Sequence, residues 1–174
     1  MDTDDVVTGA TVEVAVEVDG SPEQVWGLIT DVTRIGEWSP ECIDGWWLDK
    51  EEPLASVGAR FEGHNRYRGG FEATARCVVT EADPPRSFAW AVLDPDEVVD
   101  RPGSVWSYLL TPGAGADRTL VTHRFVHGPG MTGVRRAADE DPAHAQQVVD
   151  DRLAELRGNM TRTIEAMGRE TSAS

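Results

Sequence analysis

"PAHAQQVVDDRLAELRGNMTRTIEAMG", residues 142–168, places Val149, Leu153, Leu156, Met160, Ile164 and Met167 at spacings of four, three, four, four and three. That is a single apolar stripe of 3.6-residue period. Asp150, Asp151, Arg152, Glu155, Arg157, Arg162, Glu165 and Arg169 fall on the other faces, so the segment has a dry side and a wet side. With Asp141 as a cap, Pro142 at the first position and Gly168 as a stop, the pattern predicts one long helix over Pro142–Gly168. Such a helix is not stable in water on one stripe alone. The rest of the chain must supply a sheet for it to lie across.

Upstream, Thr11–Val18 alternates without a break: Val12, Val14, Val16 and Val18 on one face, Glu13 and Glu17 on the other. This is a half-buried strand. Ser21-Pro22-Glu23-Gln24 then opens a short helix with a capping box. Asp31 caps a second short helix through Arg34–Trp38, ended at Ser39-Pro40. Strand patterns follow at Ile43–Leu48, Ala59–Tyr67, Phe71–Glu81, Arg86–Leu93, Ser104–Thr111 and Thr119–His127, with turn residues between them. The predicted class is α+β: a seven-stranded, bent antiparallel sheet wrapped around the C-terminal helix, with two short helices after the first strand. One domain over 10–168 is expected, with 1–9 and 169–174 as flexible termini.

Strand alternation proposes an interior. Phe61, Gly63 and Asn65 share one phase; Phe71, Ala73, Ala75 and Cys77 follow, then Phe88 and Trp90, then Trp106 and Tyr108. On the last strand either Val121, His123 and Phe125 or Leu120, Thr122, Arg124 and Val126 turn inwards, and the bulk of Phe125 favours the first set. Rings with a few polar groups suit an apolar, ring-bearing ligand, and small residues at Gly63, Ala73 and Ala75 leave room for one. Six Trp in 174 residues equally suit plain core packing. In Trp38-Ser39-Pro40-Glu41-Cys42, Trp38 is either a gate or core, and Glu41 either a carboxylate at a cavity mouth or a cap or ion-pair partner. Two long connections, Asp94–Gly103 and the glycine-rich His127–Gly133, are lids or plain connectors.

The wording of "SPEQVWGLITDVTRIGEWSPEC" (21–42), "VGARFEGHNR" (57–66), "DPPRSFAW" (83–90) and "VWSYLLTP" (105–112) resembles bacterial members of the START-like, or SRPBCC, superfamily. Within it the likeness is to the polyketide cyclase/dehydrase and lipid-transport group, over about Val12–Met167. The resemblance implies a helix-grip fold with a hydrophobic cavity between sheet and terminal helix. On such a scaffold the inward strand phases and the Trp38 run give a candidate ligand-binding set of Trp38, Phe61, Asn65, Phe71, Trp90 and Trp106, and, if the cavity catalyses a cyclase or dehydratase reaction, Tyr108 and His123 as acid–base groups. A third class, a protein-interaction module of the chaperone-regulator kind, carries no ligand at all.

Composition narrows the partners. Net charge is −15, from 31 acidic against 16 basic residues, which repels nucleic acid and anionic membrane surfaces. No stretch is apolar enough for a membrane span, and the expected state is cytoplasmic, as a monomer or homodimer. No cofactor is expected. Cys42 and Cys77 lack metal or redox spacing. His123 and His127 stand roughly 13 Å apart on a strand, too far to share a metal. Neither a phosphate-cradling glycine motif nor a G-x-S-x-G elbow is present.

Overall fold

The computed structural model describes residues 2–174. Strand β1 (Thr11–Asp19) buries Val12, Val14 and Val18 and exposes Glu13 and Glu17. Ser21 then caps helix α2 (Pro22–Ile29): its hydroxyl accepts from the Gln24 amide at 3.2 Å, and the Gln24 side chain accepts from the Ser21 amide at 2.8 Å. Asp31 caps a 3₁₀ turn over Val32–Glu37 through the Thr33 amide. Strands β2 (Cys42–Trp47), β3 (Arg60–Arg66), β4 (Glu72–Asp83), β5 (Ser87–Val92), β6 (Ser104–Pro112) and β7 (Arg118–His127) complete the set.

All neighbours are antiparallel, in the order β1-β7-β6-β5-β4-β3-β2. The first two strands in sequence are therefore the two edges, and α2 with the 3₁₀ turn fills the crossover between them. Register shifts at Cys42/Asp44 in β2 and Val79/Glu81 in β4 interrupt the ladder where the sheet curls, as bulges do. The sheet forms a half-barrel whose concave face looks at the C-terminal helix. Val121, His123 and Phe125 of β7 are all buried, which settles the inward phase of that strand.

The terminal helix differs from its sequence outline at both ends. Pro142–His144 form a 3₁₀ turn, and helix α4 runs from Ala145 to Ser172. Asp141 makes no side-chain cap there; its carboxylate meets His144 Nδ1 at 2.8 Å instead. Gly168 does not end the helix. It is a point of close approach between α4 and β1, where an added Cβ would sit 2.7 Å from Val18 Cγ1. The last turn docks as well: the Thr171 hydroxyl donates to the Asp19 carbonyl.

The N-terminal stretch expected to be a flexible lead-in contains helix α1 (Thr3–Val7), capped by Asp2, and Val7 is fully buried. It packs with Ala138 of helix α3 (Gly133–Glu140) and with Ala145 and Val149 of α4. Arg135, itself buried, clasps the arrangement. It donates to Asp4 (2.7 Å), the Thr8 hydroxyl (2.5 Å) and the carbonyls of Gly130 (3.1 Å) and Gly128 (3.0 Å). Sequence periodicity misses α1 because it is short, acidic and held by tertiary contacts rather than by its own propensity.

Alanine inside a helix normally gains about 1 kcal/mol over glycine. Gly168→Ala should instead lose about 1–3 kcal/mol, because the new Cβ would also lie 3.0 Å from Val18 Cβ, which no change of rotamer moves. A lower urea midpoint with an unchanged slope would confirm this; a midpoint at or above that of the parent protein would refute it.

Candidate functional site

Register builds the site. Trp90 of β5 lies directly opposite Trp106 of β6, which lies opposite Phe125 of β7; Tyr108 of β6 lies opposite His123 of β7. Directly opposed residues on one face are in contact range, so the three pairings make a continuous aromatic wall. Trp90 and Trp106 stack within 2° of parallel at 6.2 Å, and Phe125 meets Trp106 edge-on at 4.8 Å. Tyr108 and His123 stack at 3.8 Å and 4°. Next to this wall β3 and β4 offer the small residues Gly63, Ala73, Ala75 and Cys77 along with Phe61, Glu62 and Asn65, and α4 closes the top with Leu156, Met160 and Thr163. The result is a cavity of about 560 Å³, within the ~300–1,000 Å³ usual for small-molecule sites.

Deep in the cavity two polar atoms are free. His123 Nδ1 lies 2.9 Å from the Ser107 carbonyl, which can only accept, so Nδ1 carries the proton. Burial lowers the His123 pKa to about 4, with the Ser107 contact opposing, so the ring is neutral and Nε2 is a bare acceptor. Burial also raises the Tyr108 phenol well above its ordinary value and keeps it protonated. Among the described residues the only enclosed side-chain polar atoms without a partner are the two nitrogens of His127. The Tyr108 hydroxyl and His123 Nε2, equally without protein partners, are thus open to the cavity. Burial takes His127 to about 4 as well; the Gly103 backbone is close enough to oppose this but not in hydrogen-bonding geometry. The cavity thiols are no nucleophiles, since burial lifts Cys42 to about 11 and Cys77 further.

At the mouth, Arg152 forks onto Glu41 at 2.7 and 2.6 Å and also reaches Glu155 at 2.8 Å. Asn159 donates to Glu41 at 3.2 Å, and the Arg152 guanidinium lies 5.5 Å over the Tyr67 ring. Burial works against the charge on Arg152, but the bonds and charge of Glu41, then Glu155, outweigh it and hold its pKa above the ordinary value. Glu41 is therefore both a carboxylate at the mouth and an ion-pair partner.

The cavity brings together Phe61, Asn65, Phe71, Trp90, Trp106, Tyr108 and His123. Phe71 stands at the rim, 69% exposed and stacked on Tyr67 at 5.9 Å. Trp38 is not among them. It is buried behind the helix, where Nε1 donates to Glu170 at 3.2 Å and the Arg34 guanidinium covers its ring at 4.8 Å. A helical wheel assigns Arg152 and Glu155 to the wet face, yet they flank the opening. The available signal is the recurrence of Arg152, Asn159 and Thr163 beside the apolar stripe, at steps of seven and four.

The buried neutral His123 ties stability to pH. Its folded value of about 4 lies below the ordinary 6.5, so the unfolded chain binds more protons between the two. That contribution is complete above about pH 6.5 and is lost as pH falls toward 4, on the order of 2–3 kcal/mol. Urea unfolding from pH 7 to 4 should show the decline, and His123→Gln should make it shallower, leaving the share of His127, which is lowered over the same range. An identical pH slope in the variant would contradict the assignment.

The family model described as polyketide cyclase / dehydrase and lipid transport matches residues 9–163. Among solved structures, the chain is similar to the Polyketide_cyc-like protein Cgl2372 from Corynebacterium glutamicum, at 27% identity and TM-score 0.65 over 95% of this chain and 93% of that one. It is also similar to protein Ms6760 from Mycobacterium smegmatis, at 17% identity and TM-score 0.61, covering 95% and 92%. The di-domain ARO/CYC StfQ of the steffimycin biosynthetic pathway superposes at TM-score 0.70 and 12% identity, over 96% of this chain and 53% of that chain. No curated protein matches. Among the described residues no helix is long and apolar enough to cross a membrane. With its helix-grip architecture and a family match over most of its length, the chain belongs to the polyketide cyclase / dehydrase and lipid transport family.

Proposed function

We propose that the protein binds a small hydrophobic or aromatic molecule between the curved sheet and α4. The observation that carries this is the aromatic wall flanked by small residues around about 560 Å³ of open space. Rings lying flat against Trp90 and Trp106 gain stacking area, and one hydroxyl on the guest can donate to His123 Nε2 while accepting from Tyr108. The net charge of −15 sets the surface against nucleic acid and anionic lipid, which supports a free small molecule as the partner. A protein-interaction module with a filled interior has the least support, given this hollow.

A second reading is favoured by one observation, the stacked Tyr108–His123 pair. A protonated phenol and a bare imidazole nitrogen on stacked rings supply a donor and an acceptor to one cavity, as proton transfer in an aldol-type ring closure requires. The likeness to StfQ supports the scaffold for such chemistry without assigning residues.

Binding of 2-naphthol, followed by quenching of the cavity tryptophans, should be saturable in the parent protein. Ala75→Phe fills the space and should weaken it about tenfold or more; unchanged affinity would place the ligand elsewhere. If the cavity is catalytic, Tyr108→Phe and His123→Gln should keep binding a poly-ketone substrate while turnover falls about 10²–10⁴-fold. Equal turnover in parent and variants would take Tyr108 and His123 out of the chemistry, and no turnover by the parent protein would leave binding as the whole function.

A further inference from the structure

Charge at the mouth limits which ring-bearing molecules the cavity can take. Arg152 is the cation nearest the interior, and a guanidinium there would ordinarily recruit a carboxylate or phosphate. Here it is already committed. Three of its N–H groups point at two carboxylates, Glu41 bidentately and Glu155 through one oxygen. Arg152 and Glu41 keep only 18% and 13% of their side-chain surface exposed. Two negative charges against one positive leave a surplus negative charge where a guest must pass, in surroundings that screen it poorly.

The remaining charged groups do not reverse this. Arg68 sits on the exposed turn of the β3–β4 hairpin, where water screens it. Glu62 is paired with Arg76 at 3.1 Å, and Asp31 caps the 3₁₀ turn. Deeper in, His123 offers a bare nitrogen lone pair, which attracts a hydroxyl hydrogen and repels an oxyanion.

We infer that Glu41, Arg152 and Glu155 act as a charge filter: the cavity takes neutral, hydroxyl-bearing aromatic molecules and rejects carboxylate- or phosphate-bearing ones, fatty acids included. This rests on the cavity being the ligand site. The two carboxylates, rather than the apolar wall alone, are the specificity determinants, because removing their charge frees Arg152 to hold an anion.

The test compares 2-naphthol with 2-naphthoate by isothermal titration calorimetry at pH 7.5. An apolar pocket alone would prefer the neutral probe, so the variants decide. Glu41→Gln combined with Glu155→Gln should raise naphthoate affinity about tenfold or more, collapsing the naphthol preference. Misfolding cannot mimic a gain in binding. Should the double variant fail to fold, Glu155→Gln alone removes the more exposed carboxylate, 32% accessible, and should give a smaller gain in the same direction. Naphthol binding with no naphthoate gain in either variant would overturn the filter and leave the cavity reading standing. Binding of neither probe by the parent protein would overturn both.

Discussion

The hollow depends on where α4 rests. It packs along β1, one edge of the sheet, rather than on the middle strands. Arg157 donates to the Glu13 carbonyl at 3.0 Å, Gly168 touches Val18, and Thr171 bonds the Asp19 carbonyl. Helix and strand thus run side by side in the same direction. Fourteen helical steps of ~1.5 Å cover roughly 21 Å, and six strand steps of ~3.3 Å cover roughly 20 Å, so the three contacts stay in step. On its other flank α4 reaches Glu41, just before the opposite edge strand, through Arg152 and Asn159. A rod supported on both rims of a curved sheet cannot collapse onto its centre.

Much of this was legible in the sequence, for identifiable reasons. The valine alternation of β1, the Ser21–Gln24 box and the apolar stripe of α4 are local patterns whose period or spacing fixes the structure directly. The interior phase of β3 to β7 follows from the same alternation, and it places seven of the expected residues around one space. What failed was whatever depends on a distant neighbour. Gly168 looks like a stop until Val18 is known to lie against it. Trp38 looks like a gate until Glu170 and Arg34 are seen to hold it behind the helix. Arg152 looks solvated because nothing local says that Glu41 waits across the opening.

Desolvation sets the chemistry of the interior. It keeps His123 neutral and Tyr108 protonated, and the carboxylates around Arg152 offset the cost of burying that cation. The outer surface carries the excess of acid; the lining carries almost no free charge. Surface charge and cavity lining are thereby divided between two faces of the same strands, since alternate residues of β3 and β4 serve one or the other.

The Arg135 clasp extends this logic to the start of the chain. Its guanidinium joins Asp4 and Thr8 to the Gly128 and Gly130 carbonyls, and the loop it fixes runs straight into Thr132, Gly133 and Val134 on the cavity wall. Trimming the protein at Gly9 would strip that cation of its only carboxylate and uncover Val7's partners on α3 and α4. The segment before β1 is thus part of the chamber's masonry, and a version shortened there would enclose a differently braced hollow.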